Sequence, residues 1–332
     1  MRRIAGAFAA VVIVAVVLAI AALLYVRHEV VAVRTLPAHE VRVVVPRGAT
    51  GHDVARLLAE RGVIASAFAF ELLARVRREQ SAMKAGEFRF APHRTADEVL
   101  HAVVSGGAQI AQWVTIPEGL TAKEIARTLA DHALGSEATY DRAFFHQSLV
   151  LGGTRTANLE GYLFPDSYLL PTDASPERVV AIFTSAFRGE LPRDAAVRAR
   201  ALGLTVPQVV TVASLVEREA KADDERPLMA GVYYNRLRRG MPLEVDATIE
   251  YTFAQHKTVI TYADLASRSP YNTYKHAGLP PTPIANPGKS SLDAAFHPKA
   301  SDYLYYVYAG NGRSAFARTL AEHNANVARY LH

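Results

Sequence analysis

Glu219 is the residue in this chain whose type and position most invite chemistry. A helix opens at Thr205-Val206-Pro207-Gln208, where a capping threonine precedes a proline in the first turn. Along it Val212, Leu215 and Val216 recur at i, i+3 and i+4, and the next place on that stripe is Glu219. A carboxyl held where a core should continue is desolvated, which disfavours its charged form and raises its pKa. A general acid working near neutral pH needs that property. Glu217 lies about 200° around the axis from Glu219 and reads, with Arg218 and Lys221, as a solvated flank paired at i,i+4. Two other readings stand beside this one. Glu219 could leave the core to pair with Arg226 or Arg236, and the stripe Val210, Ala213, Ser214 leads to Glu217 by the same spacing.

The segments that follow must position this carboxyl. A second helix is expected over Met229 to Leu237, ended by Arg238-Arg239-Gly240, and an extended piece then runs from Met241 to Thr248. The stretches 269–274 and 278–287 are irregular, proline-rich and supplied with aromatic and amide groups. Such loops suit a carbohydrate cleft, with rings against sugar faces and amides bonding hydroxyl or acetamido groups; a structural proline-rich cover is the alternative. Other chemistries are poorly supported. Ser81-Ala82-Met83-Lys84 matches an S-x-x-K string without its companion strings. The 12 histidines form no ligand cluster at metal spacing. Gly310-Asn311-Gly312 reads as a hairpin turn before a final helix, not a phosphate loop.

Composition narrows the setting. Of 332 residues, 50% are apolar and 21% charged, which excludes a disordered chain and a multi-span membrane protein. The absence of cysteine removes disulfides, thiolate metal sites and a cysteine nucleophile, and suits an oxidising compartment. A net charge of +5, spread along the chain, gives no nucleic-acid stripe. The uncharged run from Ile4 to Val26 would span roughly 34 Å as a helix, enough for a hydrocarbon core and too long for a signal-peptide core. Arg2 and Arg3 precede it and Arg27, Glu29 and Arg34 follow, a bias that favours a cytoplasmic amino terminus.

Beyond a short linker near Leu36 to Glu40 comes an internal repeat. Val41, Val43 and Val45 alternate as in a strand, Pro46-Arg47-Gly48 turns the chain, and Thr50 caps a helix carrying Val54, Leu57 and Leu58 on one face. Seventy-one residues on, Pro117, Gly119, Thr121, Ala126, Arg127, Leu129 and Ala130 repeat Pro46, Gly48, Thr50, Ala55, Arg56, Leu58 and Ala59. Between the copies the pattern predicts a helix near 67–78, a strand over 86–90 and a helix over 95–105, and a later helix covers about 176–188. The strand–turn–capped-helix unit resembles the glycan-binding LysM module, and a generic βα unit is the other reading.

The segments 160–168, 213–220, 225–248, 269–288 and 302–324, in that order, resemble the endolytic murein lytic transglycosylases of the MltG or YceG-like type. The resemblance implies an α+β chain in three parts: a cytoplasmic terminus and single transmembrane helix (1–30), a membrane-proximal LysM-like βα subdomain (31–110), and a mixed α+β catalytic domain (111–332) that begins with the second repeat. It implies cleavage inside nascent peptidoglycan strands, at the bacterial inner membrane with the body periplasmic, beside the penicillin-binding synthases. It implies no metal or redox cofactor. It places the catalytic role on Glu219, the second Glu of an E-x-E pair, and substrate-binding roles on Asn235, Asp246, Thr248, Tyr271, Asn272, Thr273 and Tyr274. Ala247 and Thr282 depart from the Pro and Gly usual at those motif positions. A hydrolase would need a second carboxylate, for which Glu217, Asp223, Glu225 and Asp246 are candidates. The rival from another class is a non-catalytic, glycan-binding scaffold of the wall-building machinery.

Overall fold

Threonine caps begin many of the helices. Thr50, Thr95, Thr121, Thr205 and Thr319 each accept from the backbone N–H three residues on, and the side chain there bonds back to the threonine N–H. These reciprocal caps satisfy helix-end donors that would otherwise be orphaned, each worth about 1 kcal/mol. The computed structural model describes residues 2–31, 40–253, 260–310 and 312–331. The expected linker near 36–40, Glu40 excepted, and Asn311 of the expected hairpin turn lie outside them.

The chain divides into two compact units: residues 1–114 with 168–173, and residues 115–167 with 174–332. In the first, helix α1 (Arg2–Val31) is followed by β1 (Val41–Val45), α2 (Gly51–Glu60), α3 (Ala67–Val76), β2 (Gly86–Phe90), α4 (Ala96–Ser105) and β3 (Gln109–Thr115). The helices α5 (Ala122–Asp131) and α6 (Glu137–Phe145) and the short strands β4 (Val150–Leu151) and β5 (Thr154–Arg155) intervene before β6 (Ser167–Pro171). One four-stranded sheet has the order β1-β2-β3-β6, with β2 antiparallel to both β1 and β3. The 168–173 segment returns to this sheet, where the Thr172 N–H bonds the Ile110 carbonyl at 3.0 Å. Val43, Val45, Phe88 and Phe90 face the apolar sides of α2, α3 and α4, through Val54, Leu58, Phe70, Val99 and Val103, to make its core. In chain order, two strand–helix–helix units occur, β1–α2–α3 followed by β2 and β3–α5–α6 followed, after the short β4 and β5, by β6.

Helix α1 is continuous over 30 residues. Among the described residues no single helix meets both the length and the apolarity of a membrane crossing; the apolar stretch there is Val12–His28. Its Val12, Ile13, Leu18, Leu23 and Leu24 are exposed.

The second unit is built around α9 (Val206–Glu219), after α7 (Pro176–Glu190) and α8 (Ala195–Ala201). Then come α10 (Arg226–Arg238), α11 (Asp246–Glu250), α12 (Tyr262–Leu265), α13 (Lys289–Phe296), the hairpin β7 (Tyr305–Tyr308) and β8 (Ser314–Ala317), and α14 (Leu320–Tyr330). Helix α9 packs against α8, α10, α11 and α13, so Val206 and every residue from Val209 to Val216 is buried. A helix apolar all round belongs inside a core. Fully burying each Val or Leu contributes about 1.5–3 kcal/mol. The piece expected to run extended to Thr248 instead turns into α11 at Asp246.

Candidate active site

The last turn of α9 delivers Glu219 to a cleft of about 420 Å³, which Asp246 and Tyr274 also line. Tyr305 and Tyr306 of β7 and Leu320, His323 and Asn324 of α14 line it as well. Tyr306 Oη donates to Glu219 Oε2 at 3.2 Å, and the Tyr233 and Tyr306 hydroxyls lie 2.9 Å apart, their rings edge to face. Burial first, and the Asp246 carboxylate second, push the Glu219 carboxyl above its ordinary value; the Tyr306 hydroxyl and the Ala247 N–H pull the other way. Burial and the nearby Glu219 push the Tyr306 hydroxyl well up, so it stays protonated and able to donate. The arrangement is a carboxyl whose hold on its proton is strengthened by burial and a neighbouring carboxylate, bonded by Tyr306 and open to a cleft.

Glu217 is not the solvated flank expected from its spacing. Its side chain is 6% exposed, lies 3.5 Å from Arg226 Nη1 and accepts from the Gly288 N–H at 3.0 Å. Arg226 also pairs with Asp223 at 2.9 Å and bonds Ser291, so it is not a partner of Glu219. Arg218 reaches Glu250 at 3.2 Å. The cause of the difference is that α9 is covered on every side. Both stripes along it are buried, and the one leading to Glu217 ends on a guanidinium.

Of the residues given substrate-binding roles, Asp246 and Tyr274 line the cleft, joined by a 2.6 Å bond from Tyr274 Oη to Asp246 Oδ1. The others hold the loops behind them. Asn272, fully buried, donates to the Leu265 and Ser267 carbonyls and accepts from the Tyr274 N–H at 3.0 Å, which fixes the backbone that carries Tyr274. Thr273 Oγ1 accepts from Val245 N–H at 3.0 Å, and its carbonyl accepts from Glu244 N–H at 3.1 Å. Glu244 sits at φ 55°, a left-handed conformation that costs a non-glycine residue about 1 kcal/mol or more. Thr248 Oγ1 donates to the Val245 carbonyl at 2.7 Å and meets Thr273 Oγ1 at 3.0 Å. Together these bonds pin the turn that aims Asp246. Tyr271 bonds Thr282 and packs on Tyr251, while Asn235 Nδ2 ties down the Ser301 and Tyr303 carbonyls. The Pro-rich 278–287 loop is largely buried, closer to a structural cover than to an open sugar platform.

Sequence reasoning singled out none of Tyr306, Glu244, His323 and Asn324, and weighed Arg236 only as a partner for Glu219. Arg236, buried, donates to the Leu304, Pro242 and Leu243 carbonyls and to Glu244 Oε2, knitting the cleft wall to the turn. The tyrosine-rich strand pattern at 303–308 was the one available signal, and nothing in it said which ring meets Glu219.

Glu160 forms a separate buried centre. It is fully buried, and Oε1 accepts from the Ala122 N–H at 2.9 Å and from Asn286 Nδ2 at 3.2 Å. Oε2 accepts from Tyr251 Oη at 3.0 Å, and burial pushes the carboxyl up to about 7. Gly161 follows at φ 88°, where a Cβ would fall 2.4 Å from Pro283 Cβ.

Comparison with known proteins agrees across methods. The sequence profile of the YceG-like family matches residues 43–329. The chain is 32% identical over 314 residues to the endolytic murein transglycosylase of Bacillus subtilis, covering 88% of this chain and 85% of that protein. It is 29% identical over 324 residues to the endolytic murein transglycosylase of Streptococcus pneumoniae serotype 2, covering 88% of this chain but only 58% of that longer relative. Among solved structures, the crystal structure of a yceG-like protein from Listeria monocytogenes superposes with a TM-score of 0.63 at 30% identity, covering 87% of this chain and 99% of that one.

Proposed function

The chain belongs to the YceG-like family, and on that premise we propose that it is an endolytic murein transglycosylase. It cleaves the β-1,4 bond between N-acetylmuramic acid and N-acetylglucosamine within nascent strands and leaves 1,6-anhydro-N-acetylmuramic acid ends. The observation that carries this reading is the single desolvated carboxyl of Glu219 facing a cleft beside Asp246. Protonated Glu219 gives its proton to the leaving glycosidic oxygen as the C1–O bond breaks. The 2-acetamido group or the ring environment carries the positive charge that develops. The resulting Glu219 carboxylate takes the proton of the C6 hydroxyl as that oxygen closes on C1, so one group serves as acid and then base without water. Tyr306 donates to Oε2 and helps to fix the orientation of the carboxyl.

A hydrolase is the second reading, because Asp246 supplies a second carboxylate in the same cleft. Of the other candidates, Glu217 and Asp223 are committed to Arg226, and Glu225 accepts from the Ser314 N–H and pairs with Arg313.

The helix Arg2–Val31 anchors the chain in the bacterial inner membrane with its body outside the cytoplasm; its continuity and the uncharged run 4–26 support this. The β1–α2–α3–β2 order with antiparallel strands supports a LysM-like subdomain that holds glycan. Peptidoglycan synthases are the partners this role implies. Size-exclusion chromatography of defined uncrosslinked strands tests the endolytic activity with the full chain in detergent. Fragments of intermediate length are expected. Strands that are bound but keep their length would replace the enzyme with a scaffold.

A further inference from the structure

Helix α14 presents one face to the cleft. Leu320, His323 and Asn324, at i, i+3 and i+4, all line the cleft that Glu219 also lines. The capped start of the helix at Thr319 fixes that face, with Glu322 Oε2 accepting from the Arg318 N–H at 2.7 Å. The His323 ring lies on the Tyr305 ring at 5.3 Å and 24°, and the Arg236 guanidinium sits 5.0 Å from the centroid of the same tyrosine. This stack holds the imidazole plane in place. Yet His323 Nδ1, a buried atom, has no hydrogen-bond partner among the described residues. A buried polar atom left unpaired costs about 1–3 kcal/mol, a cost that a ligand group would remove. Burial, and Arg236 after it, push the imidazolium below its ordinary value, so the ring is neutral at neutral pH and able to donate or accept without charge.

We propose that His323 and Asn324 are substrate-binding residues that hydrogen-bond a neutral hydroxyl or amide group of the glycan strand lying in the cleft beside Glu219. The inference rests on the transglycosylase reading and adds to it a recognition wall on the carboxy-terminal helix. A neutral contact suits this place. Glu219, Glu244 and Asp246 already put three acidic side chains on the cleft, one of them balanced by Arg236, and a further charge would favour ions over sugar.

The test measures binding by the full chain carrying Glu219→Gln, so that strands persist, with uncrosslinked glycan strands as the probe. His323→Phe keeps the ring against Tyr305 and removes both nitrogens; Asn324→Ala, at an exposed position, provides a second variant that leaves that stack untouched. Each is expected to weaken binding by about fivefold or more, the worth of one or two neutral hydrogen bonds. In the Glu219 parent, the same substitutions should raise KM more than they lower kcat. Loss with strands stripped of stem peptides assigns the contact to a sugar hydroxyl or N-acetyl group. Loss only with peptide-bearing strands assigns it to a stem amide. Unchanged affinity for both probes in both variants overturns the proposal. If the Glu219 parent cuts strands while the variants keep its KM, this inference fails alone; if the parent cuts nothing, the transglycosylase reading fails instead.

Discussion

Glu217 and Glu219 leave the same helical turn for opposite environments. Glu217 is closed over by Arg226 at 3.5 Å and the Gly288 N–H at 3.0 Å, while Glu219 opens on the cleft with its Oε2 held by Tyr306 at 3.2 Å. One carboxylate is therefore spent on holding loop 288 to α9 and α10. The other faces the cleft with a raised pKa.

That division sets apart two otherwise similar substitutions. Glu217→Gln keeps an acceptor for Gly288 but removes the charge facing a nearly buried guanidinium, which still has Asp223. The expected result is a destabilisation of about 1–3 kcal/mol, seen as a lower thermal midpoint, with cleavage retained well below that midpoint. Loss of cleavage without loss of stability would mean that Glu217 itself takes part in the chemistry.

The pH profile should move in opposite directions in two variants. An acid must be protonated, so activity falls as pH rises through the Glu219 pKa. The Asp246 charge raises that pKa and the Tyr306 bond lowers it. Asp246→Asn should shift the alkaline limb of kcat/KM to lower pH, and Tyr306→Phe should shift it to higher pH. Shifts of the same sign would separate the limb from Glu219.

Glu160 makes a stability prediction. Its pKa is raised from 4.5 to about 7 in the folded chain, so between those values the folded state holds a proton that the unfolded state has released. Stability from this group is present at low pH and is lost as pH rises through about 7, by roughly 3 kcal/mol in all. Glu160→Gln mimics the protonated form, with its carbonyl toward Ala122 and Asn286 and its amide toward Tyr251. Thermal melts of this variant should lose that fall between pH 5 and 8, and a variant that kept it would place the titration elsewhere.

Much of the fold was legible because its signals are local. Thr50, Thr95, Thr121 and Thr205 mark helix starts by a cap and a partner three residues on, and β1 and β2 were read from short alternating runs. Glu219 was found because it interrupts an apolar stripe. Glu217 was read as a solvated flank although the second stripe, Val210, Ala213 and Ser214, also led to it; the structure buries both stripes. The cleft wall was not legible. Tyr306 meets Glu219 across 87 positions of sequence, and His323 gains its meaning only from the hairpin it packs on. Asn272, Thr273 and Thr248 drew notice as polar residues in a sugar-binding motif, yet their bonds run to the backbone that carries Asp246 and Tyr274.

The most direct measurement is mass spectrometry of glycan ends after the full chain meets uncrosslinked peptidoglycan. The expected result is 1,6-anhydro-N-acetylmuramic acid ends from the parent protein and a loss of about 100-fold or more with Glu219→Gln. Reducing ends from the parent, or anhydro ends undiminished by Glu219→Gln, would contradict the claim that Glu219 alone acts as acid and then base.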